Sequence, residues 1–118
     1  MFIKILKSKL HGARVTDAKL NYSGSIAIDS ALMEAAGILP YESVLVADLN
    51  NGNRFETYTV VAEANSGQVV ILGPAARLVK PKDVIVIFAF GYYSPEEARK
   101  VKPKIIVLDE NNKIEQSG

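Results

Sequence analysis

Ala35-Ala36-Gly37-Ile38-Leu39, followed by Val44-Leu45-Val46, recurs 40 positions later as Ala75-Ala76-Arg77-Leu78-Val79 followed by Val84-Ile85-Val86. Each copy joins a small-residue turn or helix to a proline turn, at Pro40 or Pro81, and then to an apolar strand. Two such copies predict a barrel with pseudo-two-fold symmetry rather than an open sheet, because pairing equivalent strands across an axis removes exposed edges.

The rest of the chain reads as mainly β with two short helices. Asp29 is placed to cap a helix over residues 30–36, which Gly37 ends where a positive φ is needed. Ser94-Pro95-Glu96-Glu97 combines a capping serine, a proline at the first helical position and a glutamate three residues on, which predicts a second helix to about Lys100. Residues 44–49 and 54–62 flank Asn50-Asn51-Gly52-Asn53, a turn sequence suited to a tight hairpin. A turn at Ser66-Gly67 leads into a strand over 68–72, and another strand is expected at 104–108. The run Asp83 to Phe90 is apolar after its first residue and reads as buried on both faces. The polar tail after Asp109 reads as frayed.

Composition removes several function classes. The chain has 118 residues, the size of one domain with one core. Its 14 basic and 13 acidic residues form no stripe for nucleic acid and no polybasic membrane anchor. There is no cysteine, which excludes disulfides and thiol nucleophiles, and a single histidine with scattered carboxylates offers no metal cluster. The first seven residues lack the uninterrupted apolar core of a signal peptide, and no apolar run is long enough for a bilayer, so a cytoplasmic location is expected. In that setting Asn21-Tyr22-Ser23, formally a glycosylation acceptor, carries no meaning.

Chemistry concentrates at Asn21-Tyr22-Ser23-Gly24-Ser25. Gly-Ser usually marks a turn, but it can also convert its own serine into a carbonyl cofactor. Glycine allows the scissile carbonyl to be held in a backbone geometry that side chains forbid. The Ser25 hydroxyl attacks the Gly24 carbonyl and moves the acyl group from nitrogen to oxygen. Elimination from the ester frees the Gly24 carboxyl and leaves a dehydroalanine, whose imine form adds water and releases ammonia to leave a pyruvoyl group at the head of a new chain, an electron sink of the kind otherwise supplied by a bound cofactor.

Lys9-Leu10-His11 lies upstream, Tyr22-x-Gly24-Ser25-x-Ala27-Ile28-Asp29 surrounds the bond, and Ala35-Ala36-Gly37-Ile38 follows. Asn51-Gly52-x-Arg54-Phe55-x-Thr57-Tyr58 and Gly73-Pro74-Ala75-Ala76 come next. Over about residues 3–103 this set resembles the pyruvoyl-dependent aspartate 1-decarboxylase family, bacterial enzymes that make β-alanine for pantothenate. The resemblance implies a double-psi β-barrel. It also implies self-cleavage of a proenzyme at Gly24-Ser25 into residues 1–24 and 25–118, and a covalent pyruvoyl cofactor derived from Ser25. L-Aspartate is the implied substrate, and a homotetramer with pockets shared between subunits the implied assembly, in which Lys9 or Arg54 serves another protomer's position 25. Cleavage is either spontaneous or assisted by an accessory maturation factor, an alternative the sequence leaves open.

The same resemblance places Lys9 and Arg54 in the substrate pocket. A planar guanidinium can hold the side-chain carboxylate of aspartate in two bonds while the other carboxylate departs, which favours Arg54 for that role and Lys9 as a secondary contact. Tyr58 is the candidate general acid, a phenol able to return the proton after carbon dioxide leaves. Alternation puts Arg54, Glu56 and Tyr58 on one face and Thr57 on the other, in tension with the substrate or cleavage-site contact that the resemblance implies for Thr57. Tyr22 and His11 are expected at the pocket wall and edge. Gly73, Pro74 and Ala75 are expected to let backbone amides approach a ligand carboxylate. The chain departs from the commoner family pattern at Leu72, where asparagine is frequent, and at Ala47, where some relatives carry tryptophan.

A serine hydrolase is disfavoured, since Ala27 stands where a nucleophile elbow needs its second glycine. Two rivals remain at this point. A pyruvoyl enzyme for another amino acid would keep Gly24, Ser25 and Tyr58 but change the cationic pair, and a non-enzymatic β-barrel binding module would use Gly24-Ser25 as a turn.

Overall fold

A computed structural model describes all 118 residues. Strands β1 (Ile3–Arg14), β2 (Asp17–Lys19) and β3 (Ser25–Asp29) lead into helix α1 (Ser30–Ala36). Strands β4 (Ser43–Asp48), β5 (Arg54–Ala62) and β6 (Val69–Leu72) precede a 3₁₀ turn at Pro74–Arg77, followed by β7 (Val84–Tyr93), helix α2 (Pro95–Ala98), β8 (Lys104–Leu108) and β9 (Ile114–Ser117).

The nine strands run in the order β2-β6-β3-β5-β4-β7-β1-β8-β9. Two strand runs change partner midway. β5 pairs antiparallel with β4 through residues 54–58, then parallel with β3 through 59–62. The β1–β2 run pairs antiparallel with β7 up to Arg14, then parallel with β6 from Asp17. Since β2 continues β1, this second exchange closes the sheet. The architecture is a double-psi β-barrel.

The 40-residue repeat has a direct structural counterpart. β4 and β7 are neighbours, with Val46 opposite Ile87 and Ala47 opposite Val86. Under the repeat, Val46 is equivalent to Val86 and Ala47 to Ile87, so the two copies meet across a pseudo-two-fold axis between these pairs. Inside lies one core that includes Leu10, Ile26, Ile28, Val46, Ile71, Ile85 and Ile87.

Local signals translate closely into structure. The Asp29 side chain accepts from Ala31 N–H, and Gly37 adopts φ 69° with its N–H returned to the helix. Both halves of the Ser94–Glu97 capping box form, although α2 is a single turn ending at Ala98 rather than near Lys100. The remaining differences are tertiary. β1 is the longest strand, yet bulges between Leu6 and Ser8 and between His11 and Ala13 reset its alternation, which hides a period of two. β7 is buried on both faces only in part, since Phe88 and Phe90 are half-buried, and it continues to Tyr93.

The tail corrects the expectation of fraying. β9 pairs with β8, and Asn112, buried within the preceding turn, accepts from Arg14 N–H at 2.7 Å. Its amide donates to the carbonyls of Arg14 and Gly67 at 2.9 and 2.8 Å. A polar sequence is thereby anchored by ladder pairing and by one buried amide whose donors and acceptor are satisfied.

Candidate active site

Ser25 opens β3 and is buried, opposite Leu72 of β6 in the antiparallel register. The preceding residues, Asn21 to Gly24, form a bend, with Tyr22 N–H donating to Leu20 C=O at 2.9 Å. Gly24 has φ 132°, a conformation open to glycine. Gly73 faces it with φ 90° and ψ −157°. A Cβ on Gly73 would lie 2.6 Å from Gly24 Cα and 2.9 Å from Tyr22 C=O. Two glycine backbones thus lie in direct contact at the candidate cleavage bond, in a cradle that a single methyl group would fill.

The Gly73-Pro74-Ala75 segment offers fewer donors than its small size suggests. Gly73 N–H is already given to Lys19 C=O at 2.8 Å, and proline has none. Ala75 N–H, which no backbone carbonyl accepts, is the one amide of the three free for an incoming oxygen.

β5 carries the next group. Its parallel register sets Thr59 beside Ile26, so Tyr58 and Ser25 are the residues just before the paired stretch, at the point where β5 exchanges β4 for β3. Tyr58 is 40% exposed and faces the Tyr41 ring at 6.5 Å between centroids. The strand is regular from Arg54 to Tyr58, so Arg54, Glu56 and Tyr58 point outward while Thr57 is half-buried on the inner face. Alternation therefore holds, and no bulge turns Thr57 toward the outer surface.

Lys9 and His11 sit on β1, two residues apart on one face. Cross-strand registers put them in rows: Lys9, Phe88, Leu45, Glu56 and, beside it, His11, Val86, Ala47, Arg54. All four candidate polar residues of these two strands, Lys9, His11, Arg54 and Tyr58, thus belong to the outer surface of one sheet region. Lys9 and Arg54 stand about 16 Å apart, three strand spacings across and two residues along, and Arg54 lies about 13 Å up its strand from Tyr58. Neither cation has an ion-pair partner, since the chain's two salt bridges are Lys7–Glu42 and Lys19–Asp17. Tyr22 is more than half exposed beside the cleavage bend. The chain's cavities, of which one of about 320 Å³ opens between Lys4, Glu56 and Phe90, are lined by other residues than Ser25, Arg54 and Lys9.

Asp29, the last residue of β3, fixes the far end of that strand. Burial works against its charge, but backbone N–H groups of Gly67, Asn65 and Ala31 outweigh it and hold the carboxyl below its usual range.

A family model described as Aspartate decarboxylase matches residues 1–115. The chain belongs to the aspartate decarboxylase family. Among curated members, the aspartate 1-decarboxylase of Moorella thermoacetica is 56% identical over 93% of this chain and 86% of its own length. That of Acetivibrio thermocellus is 54% identical over 97% of this chain and 90% of its own, and that of Salinibacter ruber 48% over 97% and 78%. The aspartate decarboxylase match spans both the Gly24–Gly73 cradle and the β5 row of Arg54 and Tyr58.

Proposed function

We propose that this chain decarboxylates L-aspartate to β-alanine and carbon dioxide, supplying β-alanine for pantothenate, after cleaving itself between Gly24 and Ser25. The observation that carries the reading is the glycine-on-glycine contact at a buried serine, within a chain of the aspartate decarboxylase family. Burial shields the Ser25 hydroxyl from water, and the two glycines let the Gly24 carbonyl be pressed toward it without a side chain in the way.

The residues at position 25 fit a pyruvoyl group, which needs only the space of a serine and a nearby backbone donor. Bound there, it supplies the electron sink that receives the pair left by the departing carboxylate. The protein's own groups do the rest. Ala75 N–H is the donor available for an oxygen at the site. Arg54 holds the substrate's side-chain carboxylate, with Lys9 as a second cation and His11 at the edge. Tyr58, at the same end of the β3–β5 pairing as position 25, returns one proton to the former α-carbon. Tyr22 walls the opening, and Thr57, half-buried on the inner face of β5, contacts the maturing bond or the substrate.

Arg54 and Lys9 project from an outer sheet surface, about 13 Å or more from the Tyr58 end of β5, and the cavities of one protomer do not include Ser25. This supports a homotetramer in which these cations complete the pocket around a neighbour's position 25. No helix of the chain is long and apolar enough to cross a membrane, and we place the enzyme in the cytoplasm.

An intact-mass spectrum under denaturing conditions tests the reading, with and without a carbonyl-trapping reductant. The expected result is two chains, residues 1–24 and 25–118, the second lighter by one ammonia than a serine start and shifted by reductant in the presence of aspartate. A single full-length mass that persists on prolonged warm incubation, alone and with cell extract supplying any maturation factor, would overturn it.

A further inference from the structure

We infer that Tyr41 is a positioning residue for Tyr58, built into a bulge whose first position ordinarily demands glycine. The inference rests on the proposed role of Tyr58 as proton donor. Tyr41 and Glu42 together oppose a single residue of β5, since Tyr41 N–H donates to Thr59 C=O at 2.8 Å and Thr59 N–H donates to Glu42 C=O at 3.1 Å. Two residues facing one, with the first at positive φ, is the glycine-type bulge. Here the first residue is a tyrosine, at φ 68°. For a bulky residue this conformation is rare, and it persists only where neighbouring contacts enforce it.

Those contacts are present on every side. The Thr59 hydroxyl donates to Leu39 C=O at 2.7 Å, and Leu39 N–H donates to the Glu42 carboxylate at 2.9 Å. Lys7 Nζ closes the network from β1 with a 2.6 Å ion pair to the same carboxylate. The bulge is therefore clamped to β5 at the residue immediately after Tyr58 and cannot slide along it.

The orientation of the ring gives the strain a purpose. Tyr41 is 75% exposed, so burial does not hold it, and its nearest aromatic neighbour is Tyr58, at 6.5 Å and tilted by 41°. That geometry lies within the range of favourable aromatic pairing. Tyr58 itself is partly exposed and receives no side-chain hydrogen bond, so a flat neighbour limits the rotamers its phenol can visit. Bulges recur beside active sites because they re-aim a side chain, and here the re-aimed side chain is Tyr41.

The test compares Tyr41→Gly, which removes ring and strain together, with Tyr41→Phe, which keeps the ring, using Tyr58→Phe as reference. The χ1 couplings of Tyr58 are read by NMR in the full-length Ser25→Ala chain, and kcat and KM for L-aspartate in the processed enzyme. Tyr41→Gly is expected to leave the melting temperature equal or higher, average the Tyr58 χ1 couplings over two or more rotamers, and lower kcat about tenfold with KM within twofold. Tyr41→Phe restores a single rotamer and most of kcat. Unchanged Tyr58 couplings in Tyr41→Gly would overturn the inference, as would equal kcat loss in Tyr41→Phe, which would assign the effect to the hydroxyl. If Tyr58→Phe keeps the parent kcat, the proton-donor role fails instead, and the couplings still report whether Tyr41 orients Tyr58.

Discussion

Replacing Gly73 by alanine probes the cleavage site through one atom. The added Cβ would sit 2.6 Å from Gly24 Cα and 2.7 Å from Gly24 N, against an ordinary carbon contact of about 3.5–4.0 Å, so the two strands must part by roughly 1 Å. The backbone at φ 90° and ψ −157° lies in a region nearly reserved for glycine, which adds about 1–3 kcal/mol of strain to the folded state. For a chain of this length that corresponds to a fall in Tm of roughly 4–12 °C. Displacing Gly24 by about 1 Å from the Ser25 hydroxyl should slow cleavage about 10²-fold. Gly52→Ala is the control, since Gly52 has φ 79° but open space around its Cβ position, and so tests backbone strain alone. Intact-mass time courses of freshly purified protein measure the rate, and thermal melts the stability. Gly73→Ala cleaving at the parent rate, or slowed no more than Gly52→Ala, would refute the cradle argument.

Three other perturbations reach different parts of the molecule. Burial, then the neighbouring Asp83 carboxyl, push the Asp48 carboxyl above its ordinary value, against an opposing bond from Asn50 N–H, and Asp48 Oδ2 has no hydrogen-bond partner. A raised folded-state value means that this site's stability is complete below the unfolded value and lost as pH rises through the folded one. Asp48→Asn gives Oδ2's place to an N–H facing Asp83 and should stabilise by about 1–3 kcal/mol at pH 8, but little at pH 4, in urea titrations. A pH-independent difference would count against a raised Asp48 carboxyl. Asn112→Ala strands Arg14 N–H and two carbonyls and should cost about 2–4 kcal/mol, with faster hydrogen exchange in β8 and β9; a loss under 1 kcal/mol would deny the latch. Arg54→Lys removes bidentate recognition and should raise KM for L-aspartate about tenfold while cleavage proceeds normally, as mass spectrometry and product assay would report; slowed cleavage would move Arg54 out of the substrate role.

Much of the proposed site could be named from sequence because its chemistry is local. In that reading Gly24-Ser25 carries its own reaction, and Arg54 and Tyr58 are spaced by four on one strand, which fixes their shared face. The amide supply at Gly73-Pro74-Ala75 could not be read, because it depends on Lys19 C=O taking the Gly73 donor across the sheet. Tyr41 left no signal at all. Pro40-Tyr41-Glu42 looks like any turn until Thr59 is seen opposite it.

By itself the sequence determined the elements whose causes lie within a few residues: the Asp29 and Gly37 caps, the Ser94 capping box, the Asn-Gly hairpin, and the repeat whose copies meet at Val46 and Ala47. Only the tertiary structure decided that β5 changes partner after Tyr58, that Gly73 rests on Gly24, and that the polar tail is held by Asn112. The physical reason is range. Capping and turn formation are satisfied by neighbours in the chain, whereas register, close backbone approach and a buried amide's partners are fixed by strands tens of residues apart, and no local pattern encodes which carbonyl will face which donor.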